Sequence, residues 1–327
     1  MPGLGLSIAP DSLRALADAR SIYIGAAANN NLSSEADYAA VLAGQFNLLT
    51  PENVMKFEVI HPEPDSYNFA PADELVNFAQ ANNMAVRGHT LVWHQQMPRW
   101  LKYGDLTPEQ VEAVLRQHIA TVVGRYRGQI AVWDVVNEAI ADGRTGKLRP
   151  GFWTDELGEG YIDLAFTLAH EADPEALLFY NDYLADGLNE KSDGVYNLVK
   201  GMVKRGIPID GVGMQFHYEL GKLPPLDEVA ANMQRLGELG LQVHITELDI
   251  RIADPATPAQ LEQQAQEYAA LLQVCLEAEN CTAFITWGFT DKYSWIPSFN
   301  EGYGTALLFD AAYQPKPAFF ALQETLK

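Results

Sequence analysis

The chain has 327 residues, 48% hydrophobic and 20% charged, which is a globular composition and not a disordered one. A chain of this length buries roughly three quarters of its unfolded surface and needs no metal or disulfide staple to fold. With 43 acidic against 22 basic residues its formal net charge is −21; such a surface repels phosphate backbones and anionic lipid, so neither a nucleic-acid nor a membrane partner is expected, and the substrate should be neutral, cationic or met in a locally basic pocket.

In chain order, short apolar, β-branched or aromatic runs alternate with long amphipathic stretches. Strands are expected at Ile22–Ala26, Phe46–Leu49, Ala85–His89, Ala131–Val136, Leu177–Tyr180, Gly211–Gln215, Gln242–Thr246 and Ala283–Trp287. Between them, Thr107-Pro108-Glu109-Gln110 opens a helix with a cap, a first-turn proline and a capping-box glutamine. Gly160–Ala172 forms another, stopped by Asp173-Pro174. Lys191–Arg205 ends at Gly206 and Leu226–Leu239 at Gly240, where a left-handed C-terminal cap is wanted. Thr257-Pro258-Ala259-Gln260 repeats the capping logic for a helix reaching about Glu277. Eight strands alternating with helices imply a parallel sheet, and eight such units in one chain favour an α/β fold of the closed (β/α)8 barrel type. The first strand leads into its turn as Ile24-Gly25-Ala26-Ala27-Ala28-Asn29-Asn30, without the glycine fingerprint of an open dinucleotide-binding sheet. No linker divides residues 1–327, which are expected to form one barrel domain.

No run approaches the roughly 18 apolar residues that cross a bilayer. The start, Met1-Pro2-Gly3-Leu4-Gly5-Leu6, has no basic region of a secretory signal. The two cysteines, Cys275 and Cys281, are too few for a metal cluster. Their spacing suits two buried thiols as well as it suits one local disulfide, which would imply an oxidising compartment.

A barrel carries its chemistry at the C-terminal ends of its strands. The residues there include Glu52, Asn53 and Lys56 after the second run, and His89, Trp93, His94 and Gln96 after the third. Asn137 and Glu138 follow the fourth, Gln215 and His217 the sixth, Glu247 and Asp249 the seventh, Trp287 and Trp295 the eighth. A lone strand-end glutamate usually caps a helix or pairs with a lysine. Glu138 and Glu247 are two, in register, on strands that face each other across a barrel. Two carboxyls in one cavity cannot both ionise cheaply, which makes an acid and a base or nucleophile at neutral pH. Tryptophan rings beside Asn, Gln, Glu, Lys and His suit the apolar faces and hydroxyl rims of a neutral sugar. The spacing of His89 and His94 misses that of a helical zinc site, so no metal and no cofactor are expected; His217 is better placed to hold a carboxylate ionised.

Gly88-His89-Thr90-Leu91-Val92-Trp93-His94, Trp133-Asp134-Val135-Val136-Asn137-Glu138-Ala139 and Ile245-Thr246-Glu247-Leu248-Asp249, in that order, closely resemble glycoside hydrolase family 10, the endo-β-1,4-xylanases. So do Pro51–Lys56, Tyr180-Asn181-Asp182-Tyr183, Pro208–His217 and Trp287–Asp291. The resemblance implies a barrel that hydrolyses xylan with retention, with Glu138 as acid/base and Glu247 as nucleophile. It implies that His217 binds the nucleophile and is held by Asp249. It places Glu52, Asn53 and Lys56 on the distal xylose, and His89, Trp93, Asn137, Gln215 and Trp287 around the sugar at the cleavage point. Gln96 and Trp295 would crowd the sugar C5, and Tyr180 would line the leaving-group side. Cys275 and Cys281 would form a disulfide, in an extracellular enzyme. A monomer acting on xylan and xylo-oligosaccharides, with no carbohydrate-binding module, is expected. The rival readings are a retaining β-1,4-glucanase, a sugar-binding barrel without activity and a metal-dependent hydrolase.

Overall fold

The computed structural model describes residues 8–143 and 145–327; the Met1–Leu6 stretch read above lies outside them. Ten strands form among the described residues: β1 (Tyr23–Ala28), β2 (Leu48–Pro51), β3 (Ala85–Trp93), β4 (Val132–Asn137), β5 (Leu177–Asp182), β6 (Gly211–Met214), β7 (His217–Glu219), β8 (Gln242–Ala253), β9 (Cys281–Thr286) and β10 (Tyr303–Gly304). Eight of them coincide with the apolar runs. They pair in the order β8–β6–β5–β4–β3–β2–β1–β9, and β9 pairs back onto β8, which closes a parallel (β/α)8 barrel. The two strands the sequence pattern did not suggest are short: β7 runs beside the far half of β8, and β10 pairs antiparallel with its end.

Strand residues are buried on both faces, as a parallel sheet enclosed by helices requires. Ile24, Leu49, Val86, Leu178, Val212 and Val243 share the main core with helix side chains such as Leu75, Val122, Ile162, Met233 and Leu272. Inside the barrel, near the start of the strands, Leu48, Ala283 and Ile285 make a separate small apolar cluster. The helix signals hold where their chemistry is local. Thr107 and Gln110 form a reciprocal capping box at the head of Pro108–Arg125, and Thr257 and Gln260 do the same for Pro258–Glu277. Gly206 closes Glu190–Arg205 in the left-handed region at φ 73°. The helix from Leu226 stops at Gly237, two residues short of the expected Leu239, and Gly240 takes its positive φ of 81° in the turn beyond. Cys275 and Cys281 are disulfide-bonded and tie the end of helix Pro258–Glu277 to the start of β9.

Candidate active site

Several strands lose their regular pairing near the pocket. The β3–β4 register shifts between His89 and Val92, the β4–β5 register between Asp134 and Val136, and the β8–β9 register between Ile245 and Leu248. Such irregularities re-aim side chains at the cost of ladder hydrogen bonds. Directly after β4, Glu138 sits at φ 58°, a left-handed conformation that non-glycine residues seldom adopt.

The result brings Glu138 and Glu247 into one buried pocket, with only 8% and 5% of their surfaces exposed. Glu138 Oε2 accepts from Trp93 Nε1 at 2.7 Å and its Oε1 from Gln215 Nε2 at 3.0 Å. Glu247 Oε1 accepts from Asn181 Nδ2 at 2.7 Å, and its Oε2 lies 3.1 Å from His217 Nε2. Amide side chains bridge the two carboxyls: Asn137 Oδ1 accepts from both Asn181 Nδ2, at 2.9 Å, and Gln215 Nε2, at 3.3 Å. A β-carbon on Gly213 would lie 2.1 Å from Asn181 Oδ1, so only glycine leaves Asn181 room to reach Glu247.

Opposite environments divide the pair. Burial raises the pKa of Glu138, helped by the charges of Asp182 and Glu247 and only partly opposed by the Gln215 and Trp93 hydrogen bonds. Burial also pushes Glu247 upward, but the His217 hydrogen bond and the fields of His89 and His217 prevail and lower it. His217 is half-buried, and its desolvation opposes the charge, yet Asp249 and Glu247 carry its pKa up to about 10, so it is an imidazolium at neutral pH. Its Nδ1 sits 2.8 Å from Asp249 Oδ2, which also accepts from Trp295 Nε1 at 2.8 Å. His89 Nδ1 lies 3.0 Å from Asp134 Oδ2 and 4.0 Å from Glu247 Oε1. Lys56 Nζ stands 5.1 Å from the Trp93 ring and 5.8 Å from the Trp287 ring. Its burial lowers its pKa against the pull of Glu247, Glu52 and Glu138. Asn53 Oδ1 accepts from Lys56 Nζ at 2.8 Å, and Glu52 lies next to it. Among the described residues, no three His, Cys, Asp or Glu side chains converge as a cation site.

Residues 12–325 match Glycosyl hydrolase family 10. The chain is 44% identical over 319 residues to the endo-1,4-beta-xylanase B of Thermotoga neapolitana, covering 96% of this chain and 91% of that protein. The chain belongs to glycosyl hydrolase family 10. A beta-1,4-xylanase of Dictyoglomus thermophilum is 43% identical over 300 residues, covering 87% of this chain and 83% of that protein. The crystal structure of xylanase 10B from Thermotoga petrophila in complex with xylobiose superposes with a TM-score of 0.93 at 47% identity, covering 96% of this chain and 97% of that one.

Against this family 10 frame, the structure gathers Glu138, Glu247, His217, Asp249, Asn137, Gln215, His89, Trp93, Trp287, Trp295 and Lys56 through the contacts above. Gln96 is half-buried and donates to Glu58 Oε1 at 3.2 Å. Tyr180 stands apart. It is fully enclosed at 0% exposure, and its hydroxyl is spent on Asp182 and the Ile140 amide, because β5 turns that ring into the packed outer layer. Tyr183, three residues on, is the half-buried one; its ring lies 3.4 Å from Lys191 Nζ and its hydroxyl meets Asp142 and Arg149. Sequence reasoning also passed over Asn181, and over Arg87, whose ion pair with Asp134 is fully buried beneath His89. A signal was present in each case: a charged or amide residue inside an otherwise apolar strand run must find a partner in the core.

Proposed function

We propose that this protein is an endo-acting β-1,4-xylanase that cleaves xylan with retention of anomeric configuration, Glu247 serving as nucleophile and Glu138 as acid/base. The observation that carries the reading is the division of the two carboxyls: one is held by an imidazolium, while the other is hydrogen-bonded by an indole and an amide, both neutral. Glu247 attacks the anomeric carbon while Glu138 protonates the leaving oxygen, giving a xylosyl ester. Ester formation removes the negative charge on Glu247, so the proton affinity of Glu138 falls. Glu138 then takes a proton from the water that attacks the anomeric carbon and releases Glu247. Such double displacement needs carboxyls roughly 5–5.5 Å apart.

His217 holds Glu247 ionised, and Asp249 with the Trp295 indole holds His217. Lys56, Asn53 and Glu52 grip the distal xylose; His89, Asn137, Gln215, Trp93 and Trp287 surround the sugar at the cleaved bond. Tyr183, with its exposed side, takes the leaving-group position expected of Tyr180. Gln96 and Trp295 exclude the hydroxymethyl that distinguishes glucose from xylose, a steric choice that one group limits to a few kcal/mol at most. Relatives named as xylanases, and a neighbour holding xylobiose, support xylan over a glucan. The disulfide supports work in an oxidising, extracellular setting. A monomer suffices, since one chain supplies both carboxyls.

Time-resolved hydrolysis of xylan with anomers read by NMR is the test. Short oligosaccharides of retained configuration are expected, and a 2-fluoro xylobioside should label Glu247. Inverted product, or a label on another residue, overturns the assignment.

A further inference from the structure

Beneath the pocket, a chain of polar side chains runs through the barrel from the starts of its strands toward their ends. Gln242 and Thr282, near the starts of β8 and β9, line a groove at that far end. Thr282 Oγ1 donates to Gln242 Oε1 at 2.9 Å and lies 2.8 Å from His244 Nε2. His244 Nδ1 lies 2.8 Å from Arg87 Nη1. Since β3 and β8 do not pair, that contact crosses the barrel interior. Arg87 donates through Nε to Asp134 Oδ2 at 3.0 Å and through Nη2 to Asp134 Oδ1. Asp134 Oδ2 is in turn 3.0 Å from His89 Nδ1. Arg87, Asp134, His89 and His244 are each at most 2% exposed, in a place that barrels ordinarily fill with branched apolar side chains.

The donors fix the direction of every link. A guanidinium has no acceptor, so His244 Nδ1 accepts from Arg87, and the ring proton sits on Nε2 and is donated to Thr282. Burial, and after it the Arg87 cation, push the His244 pKa well below its ordinary value against Asp134, which keeps the ring neutral and Nδ1 open. Burial opposes the Asp134 charge as well, but Arg87 and His89 prevail and hold its pKa low, so it accepts from His89 Nδ1. The Phe179 ring packs 4.9 Å from the Arg87 guanidinium and 4.3 Å from the His244 ring. Two bonds to one carboxylate set how close the guanidinium stands to Asp134. The third, to a ring on the opposite strand, sets its tilt.

We propose that His244 is a positioning residue for the hydrolysis: by accepting from Arg87 it fixes the guanidinium that seats Asp134, and through Asp134 it fixes the His89 ring at the cleaved sugar. The inference rests on the placement of His89 given above. His244 is itself enclosed, and Arg87, Asp134 and His89 link it to the pocket. Without its acceptor, Arg87 Nη1 becomes a buried donor lacking a partner; the guanidinium must shift to find one, and Asp134 shifts with it.

The test measures kcat and KM on xylotetraose for His244→Leu and His244→Asn, each alone and in a His89→Ala background. Asparagine puts an amide oxygen near the Nδ1 position; leucine fills the space of the ring and offers no acceptor. His244→Leu should lower kcat/KM about tenfold, the equivalent of one net hydrogen bond. The loss should fall mostly on kcat, because a displaced His89 misorients the reacting sugar. His244→Asn should recover most of it. In the His89→Ala background, His244→Leu should cost less than about twofold, since effects passing through one shared partner do not add. Equal losses in both backgrounds would make His244 merely structural and overturn the proposal, as would Asn and Leu variants that behave alike, or a folded His244→Leu that matches wild type. If thermal melting shows that leucine is not accepted, His244→Gln carries the same predictions, because its amide reaches the Nε2 position and leaves the place of Nδ1 empty. Full activity of His89→Ala would be a separate failure: it would overturn the placement of His89 at the cleaved sugar, and the inference with it.

Discussion

The wall around Glu247 and the wall around Glu138 hide their carboxyls almost equally and treat them in opposite ways. On the Glu247 side, a cation is built in and braced: Asp249 and the Trp295 indole hold His217, and His217 holds the carboxylate. On the Glu138 side the donors are an indole and an amide, both uncharged, and the nearby charges of Asp182 and Glu247 are negative. Equal burial with unequal charge therefore sets the protonation states, and burial alone would have raised both. Geometry keeps the two states in communication, because Asn137 accepts from an amide that serves each carboxyl.

The largest effect that tests this contrast is Glu247→Ala, which should cost roughly 10⁵-fold or more in kcat on every substrate. Retention of a hundredth of wild-type activity would break the comparison. Glu138→Ala should cost roughly 10²–10⁴-fold on xylan, but far less on aryl xylosides with good leaving groups, where added azide restores turnover. Loss independent of leaving group would place Glu138 outside acid catalysis. His217→Asn removes the cation, so the pKa of Glu247 should rise and the acid limb of the activity profile should move up by about one unit. An unmoved limb would mean that the Asn181 hydrogen bond and the field of His89 keep Glu247 ionised without it. In the wild type the acid limb should lie below the ordinary glutamate value of 4.5 and the basic limb above it.

Stability should report the same cation more weakly. The folded-state pKa of His217, about 10, exceeds its ordinary 6.5, so its contribution is fully present below about pH 6.5 and fades as pH rises through 10. Thermal melts of wild type should lose stability across that window more than melts of His217→Asn. The smallest effect belongs to specificity. Gln96→Ala should raise kcat/KM on cello-oligosaccharides relative to xylo-oligosaccharides by about tenfold at most; Gln96 is the cleaner choice because Trp295 also carries a hydrogen bond to Asp249.

Much of the barrel was legible in the sequence because its signals are local. Apolar runs marked eight strands, and Thr-Pro-x-Gln marked two helix starts that the structure closes with capping boxes. The misses have local reasons as well. β7 and β10 are too short to show a period, and β8 continues to Ala253 through Glu247 and Asp249 because those side chains find partners inside the pocket. Tyr180 and Tyr183 lie in one short motif. Nothing in residue type separates them, and the turn at the end of β5 buries one ring and half-exposes the other.

Composition, spacing and strand-end chemistry determined a barrel with two carboxyls, their histidine and a tryptophan-lined pocket, since helical and strand periods are written residue by residue. Only the closed barrel decided which carboxyl meets a cation. Asn181 reaches Glu247 across 66 positions and Gln215 reaches Glu138 across 77. Hydrogen bonds act within about 3 Å and charge interactions weaken steeply with distance and hydration. Such forces therefore depend on which strands the fold sets side by side.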